Sequence, residues 1–199
     1  MTPFSYPTTP HMRRHGPQGY ADYASFRPWL RDEFTFKCAF CLLREQWGRA
    51  RGSFHLDHFH ATAQHPDQRL TYENLLYCCA TCNEVKGNRT LPDPCRVLLN
   101  GDVEVVEDGV LQARTREARR LVRKICLNRR EAREFRRTWI GIIKLAKQYD
   151  PELYQRLMGF PDDLPNLARL RPPGGNLRPE GIAESYFVKR RDGALPETT

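Results

Sequence analysis

Apolar residues recur every three or four positions in the second half of the chain, from residue 128 onward. This spacing predicts the longest helix of the protein, with one stripe of side chains facing the core. Asn128 followed by Glu131 matches a capping box and predicts where this helix begins. The predicted core-facing stripe consists of Ala132, Phe135, Trp139, Ile142, Ile143 and Ala146.

Helix-start signals predict three shorter helices. Pro28 suits the first turn of a helix that extends to Phe34. Thr115 is a suitable N-cap for a second one, and Asp150-Pro151 begins a third that ends near Gly159.

Alternating apolar and polar residues predict a strand over residues 53–57. His55 and Asp57 share its polar face, where His55 orients Asp57, approaches a phosphate or is an ordinary surface histidine. Residues 71–77 are predicted to return as a second strand, and residues 83–89 begin a closing helix.

A second hairpin is predicted over residues 103–112, with its turn at Asp108-Gly109. These elements predict an α+β protein. Its predicted organisation is a flexible arm over 1–19, a compact module with an N-terminal helix over 20–95, a hairpin plus helical basic extension over 96–159, and a Pro/Gly-rich, weakly packed tail over 160–199. Within the tail, residues 185–189 are predicted to dock as a short strand.

The positive charge of the chain is concentrated in the predicted helical extension. The formal net charge is +8, and residues 112–147 contain thirteen Lys or Arg against three Glu. This excess favours a polyanionic partner over an ordinary solvated surface. The residues predicted to contact nucleic acid are Lys86, Arg89, Arg119, Arg123, Arg130, Arg133 and Arg137.

Arg44, Arg49 and Arg51 surround Trp47 in a further basic segment. The sequence leaves open whether this segment follows a phosphate backbone or carries solvated charges.

Four of the seven cysteines form two Cys-x-x-Cys pairs, Cys38 with Cys41 and Cys79 with Cys82. Two such pairs suit one tetrahedral zinc ion, which would be structural because four thiolates leave no open position. The other three, Cys78, Cys95 and Cys126, are interpreted as small buried side chains. No signal peptide or membrane-spanning run is visible, so we expect reduced cysteines and a cytoplasmic location.

The segment 35–90 resembles the HNH endonucleases, the zinc-knuckled branch of the ββα-metal nucleases with a treble-clef-like fold. The resemblance rests on the first cysteine pair, the Asp57-His58 dipeptide, Asn74, and the second pair followed by Asn83 and Lys86. Many members carry proline where this chain has Ala61.

The resemblance implies that His58 is the general base and that Asp57 and Asn83 hold a catalytic Mg²⁺ or Mn²⁺ ion. Asn74 would brace the loop that aims the base. The implied reaction is cutting or nicking of DNA to leave a 5′-phosphate and a 3′-hydroxyl. Members of this family serve in phage defence, restriction, mobile elements and phage packaging. This chain shows no recognisable sequence-reading module such as a helix-turn-helix, so an activating or targeting protein partner is expected.

Two alternatives remain open from the sequence. The chain could be a non-catalytic zinc-knuckle module that binds nucleic acid, although such a module has no use for Asp57, His58, Asn74 and Asn83 together. The substrate could also be RNA, since the basic charge attracts both nucleic acids equally.

Overall fold

The computed structural model describes residues 2–47 and 54–199. Within these ranges the protein is α+β, with two separate two-stranded sheets and seven α-helices. The strands are β1 (Phe54–His58), β2 (Leu75–Cys79), β3 (Val103–Val105) and β4 (Leu111–Ala113). The helices are α1 (Arg27–Glu33), α2 (Ala80–Lys86), α3 (Pro94–Val97), α4 (Arg116–Lys124), α5 (Arg130–Tyr149), α6 (Pro151–Met158) and α7 (Tyr186–Arg191).

The hairpin of β1 and β2 is antiparallel, with Phe54 opposite Cys79 and His58 opposite Leu75. Every residue of β2 is buried, because α1 and α2 both pack against this strand. Helix α2 follows β2 without a linker and begins at Ala80, three residues earlier than predicted. The two strands and the helix therefore form one continuous unit.

The predicted first helix, second hairpin and two of the predicted caps are confirmed. Pro28 lies in the first turn of α1, and β3 and β4 pair antiparallel across the predicted turn. The hydroxyl of Thr115 accepts a hydrogen bond from the main chain of Ala118 at the start of α4. The carboxylate of Asp150 caps α6 in the same way by accepting from Leu153.

The predicted capping box of α5 is wrong. Asn128 lies before the helix, and its side-chain amide exchanges two hydrogen bonds with the main chain of Leu111 on β4, at 2.9 and 2.7 Å. The helix begins at Arg130 without a side-chain cap. Because the hairpin offers a buried pair of main-chain groups, the Asn128 side chain binds across the fold instead of capping its own helix.

The predicted core-facing stripe of α5 is only partly correct. Ile143 and Ala146 are buried, whereas Phe135 is 41% and Ile142 is 37% exposed. Arg136 is buried in their place and donates to the carbonyls of Gly109 and Leu127 at 2.7 and 2.6 Å. The turn of the β3–β4 hairpin thus packs against the face of α5 that carries Arg136. Hydrophobic periodicity alone does not predict that this face points toward the core.

Residues 2–19 do not form the predicted flexible arm. Phe4 is 1% exposed, and the fully buried His15 lies 2.9 Å from the buried carboxylate of Asp32. The carboxylate of Glu33 accepts hydrogen bonds from the main-chain N–H groups of Arg14 and His15. The end of α1 therefore holds this segment through acidic side chains that hydrophobicity patterns do not reveal.

The predicted weakly packed tail is also wrong. Leu167 and Ser185 are fully buried, and residues 186–191 form helix α7 instead of the predicted short strand. A side chain at Gly181 would place its Cβ only 1.8 Å from the carbonyl oxygen of Arg14. The glycines that suggested disorder instead permit close backbone contact with the N-terminal segment.

Among the described residues, no helix combines the length and apolar character needed to cross a membrane. The basic positions Arg49 and Arg51 lie outside the described ranges.

Candidate functional site

The two cysteine pairs converge at one point. The Sγ atoms of Cys38, Cys41, Cys79 and Cys82 all lie within 4.8 Å of one another. The Sγ atoms of Cys41 and Cys79 are 3.7 Å apart. Four sulfurs at about 2.3 Å from a central zinc ion would be separated by roughly 3.8 Å, so this cluster fits a tetrahedral metal site.

The junction of β2 and α2 supplies one half of this cluster. Cys79 is the last residue of β2 and Cys82 lies in the first turn of α2. The first pair is held by the main chain, since the N–H of Ala39 donates to Tyr77 at 2.9 Å and the N–H of Cys38 donates to Leu43 at 2.9 Å. The main chain on both sides therefore fixes where the sulfurs meet.

The surroundings shift the pKa values of two cluster thiols in opposite directions. Hydrogen bonds from the neighbouring cysteines lower the pKa of Cys79, whereas burial raises the pKa of Cys38. A bound cation would stabilise the ionised sulfurs that zinc requires.

The other cysteines lie outside the cluster. Cys78 and Cys95 are buried, as predicted. Cys126 is exposed, so its predicted burial is wrong; it has a positive φ of 55° just after α4. The reversal of the chain at this residue turns its side chain outward.

A second polar centre lies at the other end of the hairpin. The ammonium of Lys86 donates to the Oδ1 atom of Asp57 at 3.0 Å, to the carbonyl of His58 at 2.7 Å and to the carbonyl of Gly87 at 3.3 Å. Both residues are buried, since Asp57 is 8% exposed and Lys86 is 1% exposed. Burial raises the pKa of Asp57, and the ammonium of Lys86 opposes this rise.

One oxygen of this carboxylate has no hydrogen-bond partner. Oδ2 of Asp57 is buried and unpaired among the described residues, although Oδ1 is bound by Lys86. An unpaired buried carboxylate oxygen costs free energy unless a donor or a cation satisfies it. Oδ2 is therefore the atom of Asp57 that could accept a further donor or a cation.

The imidazole of His58 is partly exposed at the end of β1. Its Nε2 atom lies 3.0 Å from the carbonyl oxygen of Arg69, and the ring of Tyr23 lies edge-on at 5.2 Å between centroids. A carbonyl oxygen can only accept a hydrogen bond, so Nε2 carries the proton in this contact. The neutral ring then has its lone pair on Nδ1, which is the atom able to accept a proton.

Asn74 braces the loop that follows His58. Its Oδ1 atom accepts from the main chain of His60 at 2.7 Å, and its Nδ2 atom donates to the carbonyls of His60 and Gln68 at 3.1 and 3.2 Å. The side chain is buried, and the carbonyl of Asn74 also accepts from the N–H of Phe59 at 2.8 Å. Both ends of the loop are therefore fixed close to the imidazole.

Asn83 lies three residues before Lys86 on α2, so the two side chains occupy adjacent positions on one helix face. It is partly exposed, and its amide makes no hydrogen bond to any described residue.

His55 is exposed on β1. It does not orient Asp57, because among the described residues the carboxylate of Asp57 accepts a side-chain hydrogen bond only from Lys86.

The cysteine cluster and His58 are at opposite ends of the hairpin. Cys79 is opposite Phe54, and His58 is four residues further along β1 than Phe54. At about 3.3 Å per residue this corresponds to roughly 13 Å. A metal ion held by the cysteines would therefore be too far away to act on a bond beside His58.

The predicted nucleic-acid residues separate into two groups. The prediction that Lys86 contacts nucleic acid is wrong, because its side chain is buried and forms an ion pair with Asp57. Arg89 is exposed and reaches the carbonyl of Lys124 at 3.3 Å. The arginines of α4 and α5 in the predicted set are all exposed, namely Arg119, Arg123, Arg130, Arg133 and Arg137.

The sequence analysis did not predict that Arg69 and Tyr23 contact the imidazole of His58. It also did not predict that Lys86 is buried. Arg69 acts through its carbonyl, which any residue type would provide, so the sequence has no signal for it. Lys86 could have been found from its position one helical turn after Asn83, but its direction depends on how α2 packs on β1.

No model of a known protein family matches this chain, and no curated protein matches it by sequence.

Proposed function

We propose that this protein is a metal-dependent endonuclease of the HNH type that hydrolyses phosphodiester bonds in DNA. The observation that carries the proposal is the pair of neighbours at the end of β1. Asp57 keeps a buried, unpartnered oxygen, and His58 is held through Nε2 so that Nδ1 is free to accept a proton.

The surroundings of this pair support the same function. A hairpin followed directly by a helix, with one cysteine pair at the junction of strand and helix and a second pair beside it, is the arrangement expected of the zinc-knuckled ββα-metal fold. Asn74 clamps the loop beside the imidazole, which is the bracing role that the resemblance implies for it.

In the proposed reaction, Nδ1 of His58 takes a proton from a water molecule. The oxygen of that water attacks phosphorus, and the bond from phosphorus to the 3′ oxygen breaks. The carbonyl of Arg69 holds the ring in position and stabilises the N–H at Nε2 as charge develops on the imidazole. A solvent molecule donates a proton to the leaving 3′ oxygen, and His58 then releases to solvent the proton that it took from the attacking water.

The residues present fit a divalent cation of the hard, oxygen-binding type. Oδ2 of Asp57 and the amide oxygen of Asn83 would hold it, and open positions would be filled by water and phosphate. When bound, Mg²⁺ or Mn²⁺ would supply positive charge beside the scissile phosphate. Lys86 fixes the carboxylate through Oδ1 and leaves Oδ2 as the available ligand atom.

The cysteine cluster would have a different role. Four sulfurs leave no position for water or substrate, so zinc there would hold the first cysteine pair against β2 and α2. The exposed arginines of α4 and α5 would attract the nucleic acid.

The test replaces His58 by alanine in the full chain. We expect His58→Ala to reduce plasmid cleavage with Mg²⁺ or Mn²⁺ by about 10²–10⁴-fold, the usual contribution of a general base. Zinc content and thermal stability should stay unchanged, since the imidazole is partly exposed.

His55→Ala is the matched control, because it removes an exposed histidine from the same strand. Its cleavage rate should equal that of the wild type. Equal rates for both variants would refute the role of His58, and absence of cleavage by the wild-type protein with any divalent ion would favour the non-catalytic binding module.

A further inference from the structure

Helix α5 carries a stripe of large apolar side chains that the fold leaves exposed, consisting of Phe135, Ile142, Leu145 and Tyr149. At 100° per residue, all of them lie within about 60° of Ile142 round the helix. This outer stripe contains four of the seven large apolar side chains that are exposed in the described part of the chain. Scattered apolar residues on a surface are normal, whereas such a concentration on one side of a helix marks an interaction surface.

The basic side chains of α5 lie on a different side of the helix. They are exposed and lie about 120–180° round the helix from Ile142, namely Arg130, Arg133, Arg137, Lys144 and Lys147. A second protein surface could therefore cover the outer stripe without burying any of these charges. A nucleic acid attracted to the basic side and a protein bound to the outer stripe would not compete for the same surface.

Gly141 lies beside the centre of the outer stripe. A side chain at this position would meet no described part of the chain within 4 Å, so a single copy gives no steric reason for glycine. Glycine inside a helix lowers the stability of that helix relative to alanine. What the missing side chain does permit is the close approach of another backbone. Gly141 therefore points to a neighbour that a single copy does not supply.

We propose that the outer stripe binds the same stripe of a second copy of this protein, with the two α5 helices antiparallel across a two-fold axis at Ile142. Phe135 and Tyr149 are each seven residues from Ile142, about 10 Å along the helix. An antiparallel pair therefore places Phe135 of one copy opposite Tyr149 of the other. Such a contact uses the same surface on both copies. It does not depend on the nuclease activity, because α5 contains no residue of the Asp57-His58 centre.

The polar residues beside the stripe favour the antiparallel direction. Glu134 lies about 12 Å along the helix from Ile142, and Gln148 lies about 9 Å away on the other side. In an antiparallel pair, the carboxylate of Glu134 would approach two hydrogen-bond donors of the other copy, the amide of Gln148 and the hydroxyl of Tyr149, which bind each other at 2.8 Å. A parallel pair would instead place Glu131 and Glu134 beside the same residues of the other copy, where like charges repel.

The area of the outer stripe predicts a weak dimer. The exposed parts of its four side chains offer roughly 300–400 Å² per copy, less than half of the ~800 Å² that each partner buries in a standard interface. The exposed polar residues around the stripe, among them Thr138 and Gln148, add to this area. Interfaces at the low end of the size range are transient, so we expect a dissociation constant in the micromolar range.

The test is sedimentation equilibrium of the full chain from about 1 µM to about 300 µM, a range that spans the expected dissociation constant. We expect the mass to rise from that of the 23.3 kDa monomer toward twice this value. Leu145→Glu should weaken dimerisation roughly hundredfold, because it brings two carboxylates close together beside the two-fold axis. Leu177→Glu is the matched control, since Leu177 is 62% exposed against 59% for Leu145 and lies outside α5. It should dimerise like the wild type.

Two substitutions at Tyr149 test the direction of the helices. In the antiparallel pair, Tyr149→Lys places an opposite charge beside Glu134 of the other copy, and Tyr149→Glu places a like charge there. We expect Tyr149→Lys to dimerise at least roughly tenfold more tightly than Tyr149→Glu. In a parallel pair each new charge would face its own equivalent, so both variants would be weakened equally.

Three results would overturn the proposal. The first is a wild-type chain that stays monomeric over the whole concentration range. The second is equal dimerisation of Leu145→Glu and the wild type, because another surface would then form the dimer. The third is equal dimerisation of the two Tyr149 variants, which would contradict the antiparallel pair. Circular dichroism and zinc content would verify that each variant is folded.

Discussion

Lys86 of the β1–β2–α2 unit and the exposed arginines of α4 and α5 differ completely in their surroundings. The Lys86 side chain is 1% exposed and 3.0 Å from a buried carboxylate. On α5, the Arg130 side chain is 83% exposed and pairs with Glu134, which is also exposed. The first cation forms part of the core, whereas the second contributes to the electrostatic potential of the surface.

This difference shows that basic residues in one chain can have opposite roles. A buried ion pair is sensitive to the removal of either partner, since the remaining charge is left without compensation. Exposed charges contribute little to stability, but they attract polyanions over the whole surface. The predictions below separate these two behaviours.

The largest effect is expected at the cysteine cluster. Cys79→Ser removes one of the four clustered sulfurs, and structural zinc of the kind proposed for this cluster contributes on the order of 10 kcal/mol to small zinc modules. We expect loss of bound zinc and unfolding of the β1–β2–α2 unit, measured by metal analysis and thermal denaturation. Cys126→Ser is the control, since this exposed cysteine lies outside the cluster. A stable, zinc-free Cys79→Ser protein would contradict a structural role.

The next effect concerns the buried ion pair. Lys86→Met leaves the buried carboxylate of Asp57 unpaired, and breaking such a pair costs roughly 3–5 kcal/mol. Chemical denaturation should detect this decrease in the free energy of unfolding. The double variant with Asp57→Asn should recover part of it, because no buried charge remains.

Lys147→Met serves as the control for this pair, because its partner is an aromatic ring instead of a carboxylate. Its free energy of unfolding should change by about 0.5 kcal/mol or less, as is usual for surface substitutions. A similar decrease in Lys86→Met and Lys147→Met would mean that the Asp57–Lys86 pair does not contribute to stability.

The smallest effect on stability, and the largest on binding, is expected for the surface arginines. Arg123, Arg133 and Arg137 are exposed, and their side chains make no ion pair among the described residues. Reversing all three to Glu should weaken DNA binding and flatten its salt dependence. The slope of log K against log salt should change by about 0.9 for each phosphate that the protein no longer neutralises.

A triple reversal of Arg169, Arg171 and Arg191 changes the net charge equally at exposed positions elsewhere. If both triple variants alter the salt dependence to the same extent, the effect comes from net charge alone. If neither alters it, DNA binding does not involve α4 and α5.

The local elements of this protein follow from its sequence. Hydrophobic alternation predicted β1, Asp108-Gly109 predicted the second hairpin, and Thr115 and Asp150 predicted two helix starts. The repeated Cys-x-x-Cys spacing predicted which four of seven cysteines converge. These features depend on interactions between residues close in sequence, or on a ligand spacing that is itself local.

Other features were decided by contacts between distant segments. Asp32 and Glu33 bind residues 11–15, and the close approach at Gly181 orders a tail whose composition suggested disorder. Hydrophobic patterns contain no information about a buried carboxylate that binds main-chain N–H groups 18 residues away.

The candidate site shows the same division. The sequence by itself placed Asp57, His58, Asn74 and Asn83 in one hairpin–helix segment with the cysteine pairs. Only the tertiary structure decided that Lys86 binds Asp57 instead of facing solvent, and that the carbonyl of Arg69 fixes the imidazole of His58. The direction of a long side chain and the position of a main-chain oxygen depend on how α2 and the loop pack against β1, and residue identity does not specify that packing.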